Sequence, residues 1–401
     1  MPTARTEPGD PVDELPPPGV AAVAFSSPRR SLWGTGEALR IEVPAPWPDH
    51  VGVVAKALEA IAHEGPQAPG RGPVAFGALP YDRRSAATLV VPAFLHGRTS
   101  DGDRWTTRIE GPGIPTHELI GDDVAPHRQP GTVVVEGGRV GQWVHGVVRA
   151  VQHIRQGALT KVVLAREITV TGDGPFDAPT LLRRMRRAAP ASFAYSVDGF
   201  VGATPELLVS RIGDVVRAHP MAGTLPRTGD PDADARRAGE LLGSHKNRVE
   251  HQITIDMVHD TLLPWCSYLD AEPEPSIVAA GPVQHLASLV EGRLSQPEPS
   301  VLELVAALHP TPAVGGWPRA EALALQAELE GVDRGRYAGP VGWVDAAGNG
   351  VFGVGIRGVQ LDGAEARLFA GVGVVAESDP EAELEETRAK AQAVLSALTR
   401  V

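Results

Sequence analysis

The sequence predicts an α+β fold: one large domain of extended, mainly antiparallel sheets flanked by helices. Three observations carry that expectation. Apolar runs of strand length recur from residue 20 onward, and three follow one another at 339–344, 350–359 and 366–375. Asn349-Gly350 between two of these runs is a strong hairpin signal, because both residues tolerate positive φ. Helical periodicities are interspersed among the strands, with no internal repeat and no clear break after residue 140. The 401 residues therefore divide into a Pro-rich leader at 1–20, expected to be disordered, and one continuous domain. Within that domain, 21–140 is the N-terminal part and 141–401 the remainder.

Composition narrows the function classes. Hydrophobic residues at 42% and charged residues at 21% suit a soluble globular protein. A net charge of −12 argues against non-specific nucleic-acid binding, which depends on basic patches. The single cysteine, Cys266, excludes an internal disulfide framework and fits a reducing compartment. No apolar run approaches the roughly 20 residues that span a bilayer. The N-terminal stretch lacks the hydrophobic segment of a signal peptide, so a cytoplasmic location is expected.

In chain order, 20–43 reads as a hairpin turning at Gly34-Thr-Gly-Glu37. A helix is expected over 49–63, strands over 73–80 and 88–94, and a long surface loop over 99–130. A helix at 141–156 ends at Gly157, and the apolar strand 159–170 should be covered on both faces. A helix at 179–188 and paired strands at 193–197 and 200–203 follow. The long helical pattern 232–263 breaks near Gly243-Ser244, with Val249, Ile253, Met257 and Leu262 on its buried stripe. Helices at 300–308 and 319–329 flank the rigid loop His309-Pro-Thr-Pro-Ala-Val-Gly-Gly316.

Chemistry concentrates at a few positions. The last helix starts at Asp379-Pro380, an N-cap followed by a proline whose missing N–H costs nothing there. Glu383, Glu386 and Lys390 share one of its faces. They read either as dipole compensation with an ordinary i,i+4 ion pair, or as carboxylates for a divalent cation beside an anion-binding amine. Lys161 alternates with Val163 and Ala165, so its amine either snorkels to solvent or enters an interior as a general base. Glu206, at the mouth of a strand, either bonds a nearby N–H or keeps its proton and acts as an acid. The backbone and Thr224 hydroxyl of loop 219–227 can receive a carboxylate. Glu250 edges the apolar stripe of its helix, and His245, His251 and His259 do not form an HExxH zinc site. An all-carboxylate set suits magnesium. A lone histidine such as His285 is more often structural. No G-x-x-x-x-G-K-[ST] phosphate loop is present.

From about residue 140 onward the chain resembles the chorismate-utilising enzymes, a family that includes anthranilate synthase component I, and within it the isochorismate synthases. The matching segments are Lys161-Val-Val-Leu-Ala-Arg166, Gly202-Ala-Thr-Pro-Glu-Leu-Leu208, Ala222-Gly-Thr224, Glu250-His251 and Gln284-His-Leu286. They continue with His309-Pro-Thr-Pro-Ala313, Ile356-Arg357, Leu368-Phe-Ala-Gly-Val-Gly373 and the Glu383-x-x-Glu386-Thr-x-x-Lys390 helix. Before residue 140 the likeness rests mainly on Phe76-Gly-Ala-Leu-Pro-Tyr81.

The resemblance implies a monomeric, Mg2+-dependent isomerase acting on chorismate, with no nucleic-acid or membrane partner. It implies that Lys161 is the base activating water for attack at C2, and that Glu206 is the acid protonating the departing C4 hydroxyl. Glu250 and Glu386 match metal ligands, with Glu383 holding a metal-bound water. Gly223, Thr224, His285, Ala313, Arg357, Gly371 and Lys390 match substrate contacts. By the same resemblance, ammonia-using relatives lack a lysine at position 161, and those attacking with an enzyme lysine carry it in place of Ala222. Relatives that eliminate pyruvate to give salicylate or anthranilate usually have threonine in place of Ala313. The expected product is therefore isochorismate, with salicylate synthase or an ammonia-using synthase as alternatives. Isochorismate can feed menaquinone, siderophore or salicylate biosynthesis. Gly315 and Asn247 depart from the residues common in close relatives.

Overall fold

Twenty of the twenty-three strands join one continuous sheet, and the remaining three, Met221–Pro226, Ser276–Ala280 and Val283–Ala287, form a second. These, eight α-helices and the short 3-10 turns Trp47–Asp49 and Leu263–Trp265 are the elements of the described residues, which in this computed structural model are 1–9, 13–118, 120, 129–281 and 283–399, apart from the side chain of Lys246. No helix among them is long and apolar enough to cross a membrane.

The large sheet grows as two arms from the long pair Arg30–Val43 and Ala87–Thr99. One arm passes through Val74–Ala78, Pro340–Asp345, Gly350–Val354, Leu207–Ile212, Val215–His219 and Val290–Leu294. The other passes through Ala22–Ser26, Phe193–Val197, Phe200–Thr204, Gly358–Asp362, Glu365–Val374 and Lys161–Gly172. Their facing residues, among them Phe25, Leu32, Phe76, Tyr195, Phe200, Val341 and Trp343, bury one another as a sandwich core. Outside the first arm pack helices Gly52–Glu59, His245–Leu262 and Val301–Leu308; outside the second pack Ala178–Ala188 and Pro380–Thr399. The expected α+β class and antiparallel sheets are what the chain forms.

The chain crosses between the arms after Thr204 and again after Val354. Pro205, which has no N–H to give to a ladder, helps end the first strand. At the second crossing Arg357 takes φ +53, a left-handed conformation that stops the ladder. Both crossings place an ionisable side chain, Glu206 or Arg357, where the arms part.

Several local expectations change. The leader is ordered where described: Thr3–Pro8 is a strand, registered from Thr3↔Glu110 to Pro8↔Trp105 against Arg104–Glu110. Beyond it, Arg183 donates to the carbonyls of Leu15 and Pro16, and Arg186 pairs with Glu14. Prolines lack donors, and the donors come from a helix some 170 positions away, which composition cannot reveal. The first hairpin turns at 27–29, and Gly34 instead lies inside the long strand, where a Cβ would meet the Phe94 carbonyl oxygen at 2.5 Å. The expected helix 49–63 spans only Gly52–Glu59, because Ala62–Glu64 pairs with the leader strand. The expected loop 99–130 contains strand Arg104–Glu110, anchored by buried Trp105 and Ile109; residues 119 and 121–128 lie outside the described part. Val249 is 44% exposed, so the buried face of helix His245–Leu262 runs through His251, Thr254, Ile255 and Val258.

Candidate active site

Lys161 opens its strand with the side chain facing inward, 2% exposed, and Val163 lies on the same face. The paired strand brings Gly373 opposite Val163 and Gly371 opposite Ala165. Gly373 leaves room for the lysine. A Cβ on Gly373 would stand 2.7 Å from Lys161 Cε and 2.9 Å from Glu250 Oε1. Glu250, from helix His245–Leu262, pairs with the Lys161 ammonium at 2.7 Å. Ser244 caps that helix by accepting from the Asn247 amide, which explains the break seen in the sequence.

Glu206 faces this pair from the first crossing and is 3% exposed. Burial pushes its carboxyl up to about 7, against the opposing pull of Lys161, Arg357 and Lys390. The group therefore keeps its proton up to near-neutral pH. Arg357, from the second crossing, extends a buried guanidinium whose Nη2 donates to His285 Nε2 at 3.2 Å. Its Nε is buried with no hydrogen-bond partner, so the cation keeps unspent donor capacity towards an anion. Because arginine only donates, His285 Nε2 must accept, and its Nδ1 carries the proton near Thr224 Oγ1 (3.0 Å) and the Gly223 carbonyl (3.3 Å). Burial, with the Arg357 and Lys390 charges, holds the imidazole neutral, its pKa well below the ordinary histidine range. Gly223 has φ +72, which lets the loop fold back against Asn247.

The C-terminal helix forms as its sequence indicates, with Asp379 Oδ1 accepting from the Ala382 amide at 2.9 Å. Lys390 reaches from it to the Gly371 carbonyl at 3.0 Å and to Glu386 at 2.6 Å. Glu383, one turn earlier, is buried. Among the described residues no three His, Cys, Asp or Glu side chains are gathered closely enough to hold a metal ion. Glu250 and Glu386 each lie against a lysine, and their donor atoms are all carboxylate oxygens, the type that hard divalent cations prefer.

A cavity of about 70 Å³ collects Lys161, Glu206, Gly223, Thr224, Glu250, His285, Ala313, Arg357, Gly371 and Lys390. Residues more than two hundred positions apart thus meet in one chamber. Glu383 and Glu386 lie outside its lining. Beyond the Lys161–Glu250 pair an open groove of about 700 Å³, lined by Ile154, Leu159, Val249 and Ile253, leads to solvent. The sequence reading missed Tyr337, a chamber residue buried between Phe369 and Gly371, whose Cβ position would be 3.1 Å from the phenol oxygen. The signal was available: a tyrosine in a Gly-bounded link before an apolar strand needs a partner for its hydroxyl. Arg357 was expected within a strand and sits instead at the break between two.

The chamber brings Lys161 together with a protonated acid, Glu206, and adds two further cations, Arg357 and Lys390. That arrangement suits proton removal and proton delivery on a small polyanion. The family described as chorismate binding enzyme matches residues 120–399. A Mycobacterium tuberculosis protein carrying the name MenF is 42% identical over 342 residues, covering 82% of this chain and 87% of its own. Isochorismate synthase DhbC of Bacillus subtilis is 37% identical over 360 residues, covering 86% and 85%. The solved structure of DhbC from Bacillus anthracis superposes with a TM-score of 0.79 at 34% identity, covering 94% of this chain and 96% of that one.

Proposed function

The chain belongs to the chorismate-binding enzyme family, and from that premise we propose that it is an isochorismate synthase, converting chorismate to isochorismate with Mg2+. The observation that carries the reading is that Lys161 and buried Glu206 line one chamber together with Arg357 and Lys390. Lys161, in its unprotonated form, takes a proton from the water that attacks C2. Glu206, protonated up to about pH 7, gives its proton to the C4 hydroxyl as it leaves. The ring double bonds shift between those two carbons, so one base and one acid complete the exchange. Arg357, with its unpartnered Nε, and Lys390 bind the substrate carboxylates and hold the ring between base and acid.

Glu250 and Glu386, with Glu383 behind them, would hold Mg2+ through oxygen donors, the cation supplying positive charge against a substrate carboxylate. Ala313 in the chamber wall places no hydroxyl beside the ring, in keeping with a reaction that stops at isochorismate. The test is product analysis: pure protein, chorismate and Mg2+, with chromatographic resolution. Isochorismate is expected. Intact chorismate would refute the reading, and salicylate with pyruvate would move the protein to the lyase branch.

A further inference from the structure

Strand Lys161–Gly172 is hydrogen-bonded along one edge to Glu365–Val374 over ten residue pairs, Val162↔Val374 to Thr171↔Glu365. Its other edge is covered only at the ends. Gly316–Trp317 pairs with Val162 and Lys161, and Val133–Glu136 pairs with 169–172. Between them lies the stretch beside the proposed base, where no strand pairing is found among the described residues. A buried ladder edge left open is costly, so those backbone groups need other partners.

Side chains supply them. Helix Arg319–Glu330 and the turn after it present Gln326, Glu330 and Arg334 at successive steps of four residues. Gln326 Nε2 donates to the Val163 carbonyl at 2.6 Å, and Arg334 Nη2 donates to the same oxygen at 2.9 Å. Glu330 Oε1 accepts from the Ala165 amide at 2.7 Å. Arg334 Nη1 also donates to the Val314 carbonyl at 3.0 Å, so one planar guanidinium joins both walls of the chamber. Tyr81 closes the set, its hydroxyl donating to Gln326 Oε1 at 2.8 Å under the Arg334 guanidinium, 4.5 Å from the ring centre. Arg334 and Glu330 are 3% and 4% exposed and satisfy each other's charge.

We propose that Gln326, Glu330 and Arg334 are positioning residues: they replace a missing strand and set the gap between the Lys161 strand and the Ala313–Val314 wall. The proposal rests on the isochorismate synthase reading only for its catalytic consequence. None of the three is placed against the substrate carboxylates, so the clamp governs how Lys161 meets the ring and not how tightly the substrate binds. A displacement near 1 Å at a reacting group can cost on the order of a hundredfold in rate.

Gln326→Met gives the cleanest test, since it keeps volume and leaves the buried Arg334–Glu330 ion pair intact. Glu328→Gln, on the same helix but exposed and paired with Arg149, is the control. The expected result is a kcat lower by roughly ten- to a hundredfold, KM within about twofold, and a melting temperature lowered by only a few degrees. Amide hydrogen exchange should accelerate locally over 161–167 in Gln326→Met and stay native in the control. Arg334→Lys, which retains the charge but reaches only one of the two carbonyls, should fall between wild type and Gln326→Met in exchange. Unchanged kcat and exchange in Gln326→Met would overturn the proposal, as would exchange accelerating throughout the chain. Should wild type form no isochorismate, the functional reading fails by itself, while the exchange measurement still decides the clamp.

Discussion

Two lysine–glutamate pairs flank the chamber, and their bond lengths are nearly equal: 2.7 Å for Lys161–Glu250 and 2.6 Å for Lys390–Glu386. Their settings differ. The second is an i,i+4 pair on one helix, with side chains 11% and 23% exposed, so each ion is partly solvated and the local helix brings the two together. The first joins a strand to a helix 89 positions later, with the lysine side chain 2% exposed. Water cannot relieve a charge there, so the environment decides what the lysine does. On the proposed function the chemistry falls to Lys161 of the buried pair, and substrate binding to Lys390 of the partly solvated pair. Substitutions should separate these roles.

The largest effect is expected at the buried pair. Lys161→Ala should lower isochorismate formation by about a thousandfold, within the range of general-base contributions, while circular dichroism reports an intact fold. Turnover near wild type would remove Lys161 from the mechanism. Glu206→Gln comes next, with a loss of roughly a hundredfold or more. Its pH behaviour is more telling. Because Glu206 is held up to about 7, wild-type kcat should fall as pH rises through that value, and the variant should lose this limb. Stability follows the same group. The folded carboxyl keeps a proton that the unfolded chain releases near 4.5, so its contribution is present at low pH and lost as pH rises from 4.5 through 7. The change amounts to about 3 kcal/mol, and thermal melts of Glu206→Gln should lack it.

Gly373→Ala probes the space between the partners of the buried pair. Its methyl would stand 2.7 Å from Lys161 Cε, so kcat should fall about tenfold or more in steady-state assays while the sheet persists. Lys390→Ala should have the smallest effect, since losing one charge-assisted contact at a partly exposed position raises KM about tenfold and changes kcat less. A larger kcat loss for Lys390→Ala than for Gly373→Ala would break the division between chemistry and binding.

The same contrast explains what the sequence could disclose. The Lys390–Glu386 pair was legible because helix geometry alone brings residues four apart together. So were the N-cap at Asp379 and the break before His245, both set by local capping chemistry, whereas strand alternation left Lys161 between solvent and an interior. The partnership of Lys161 with Glu250 was not legible from spacing, because long-range packing creates it. Arg357 was placed inside a strand because 350–359 is uniformly apolar around it; positive φ at an arginine leaves no mark in composition. The leader strand was missed for a similar reason, since its partners Ala62–Glu64 and Arg104–Glu110 look like helix end and loop when read alone. The proposed Mg2+ site would draw carboxylates from two helices, Glu250 on one and Glu383 with Glu386 on the other, and chelation followed by Mg2+ add-back tests it directly.

The central claim is that Lys161 sends solvent water to C2 while Glu206 assists loss of the C4 hydroxyl. Turnover of chorismate in 18O-enriched water with Mg2+, followed by mass spectrometry of the product, tests it most directly. The account predicts isochorismate carrying one 18O, located on the C2 oxygen, and loss of that product in Lys161→Ala. Isochorismate formed without label would contradict it, because the hydroxyl would then have moved within the substrate.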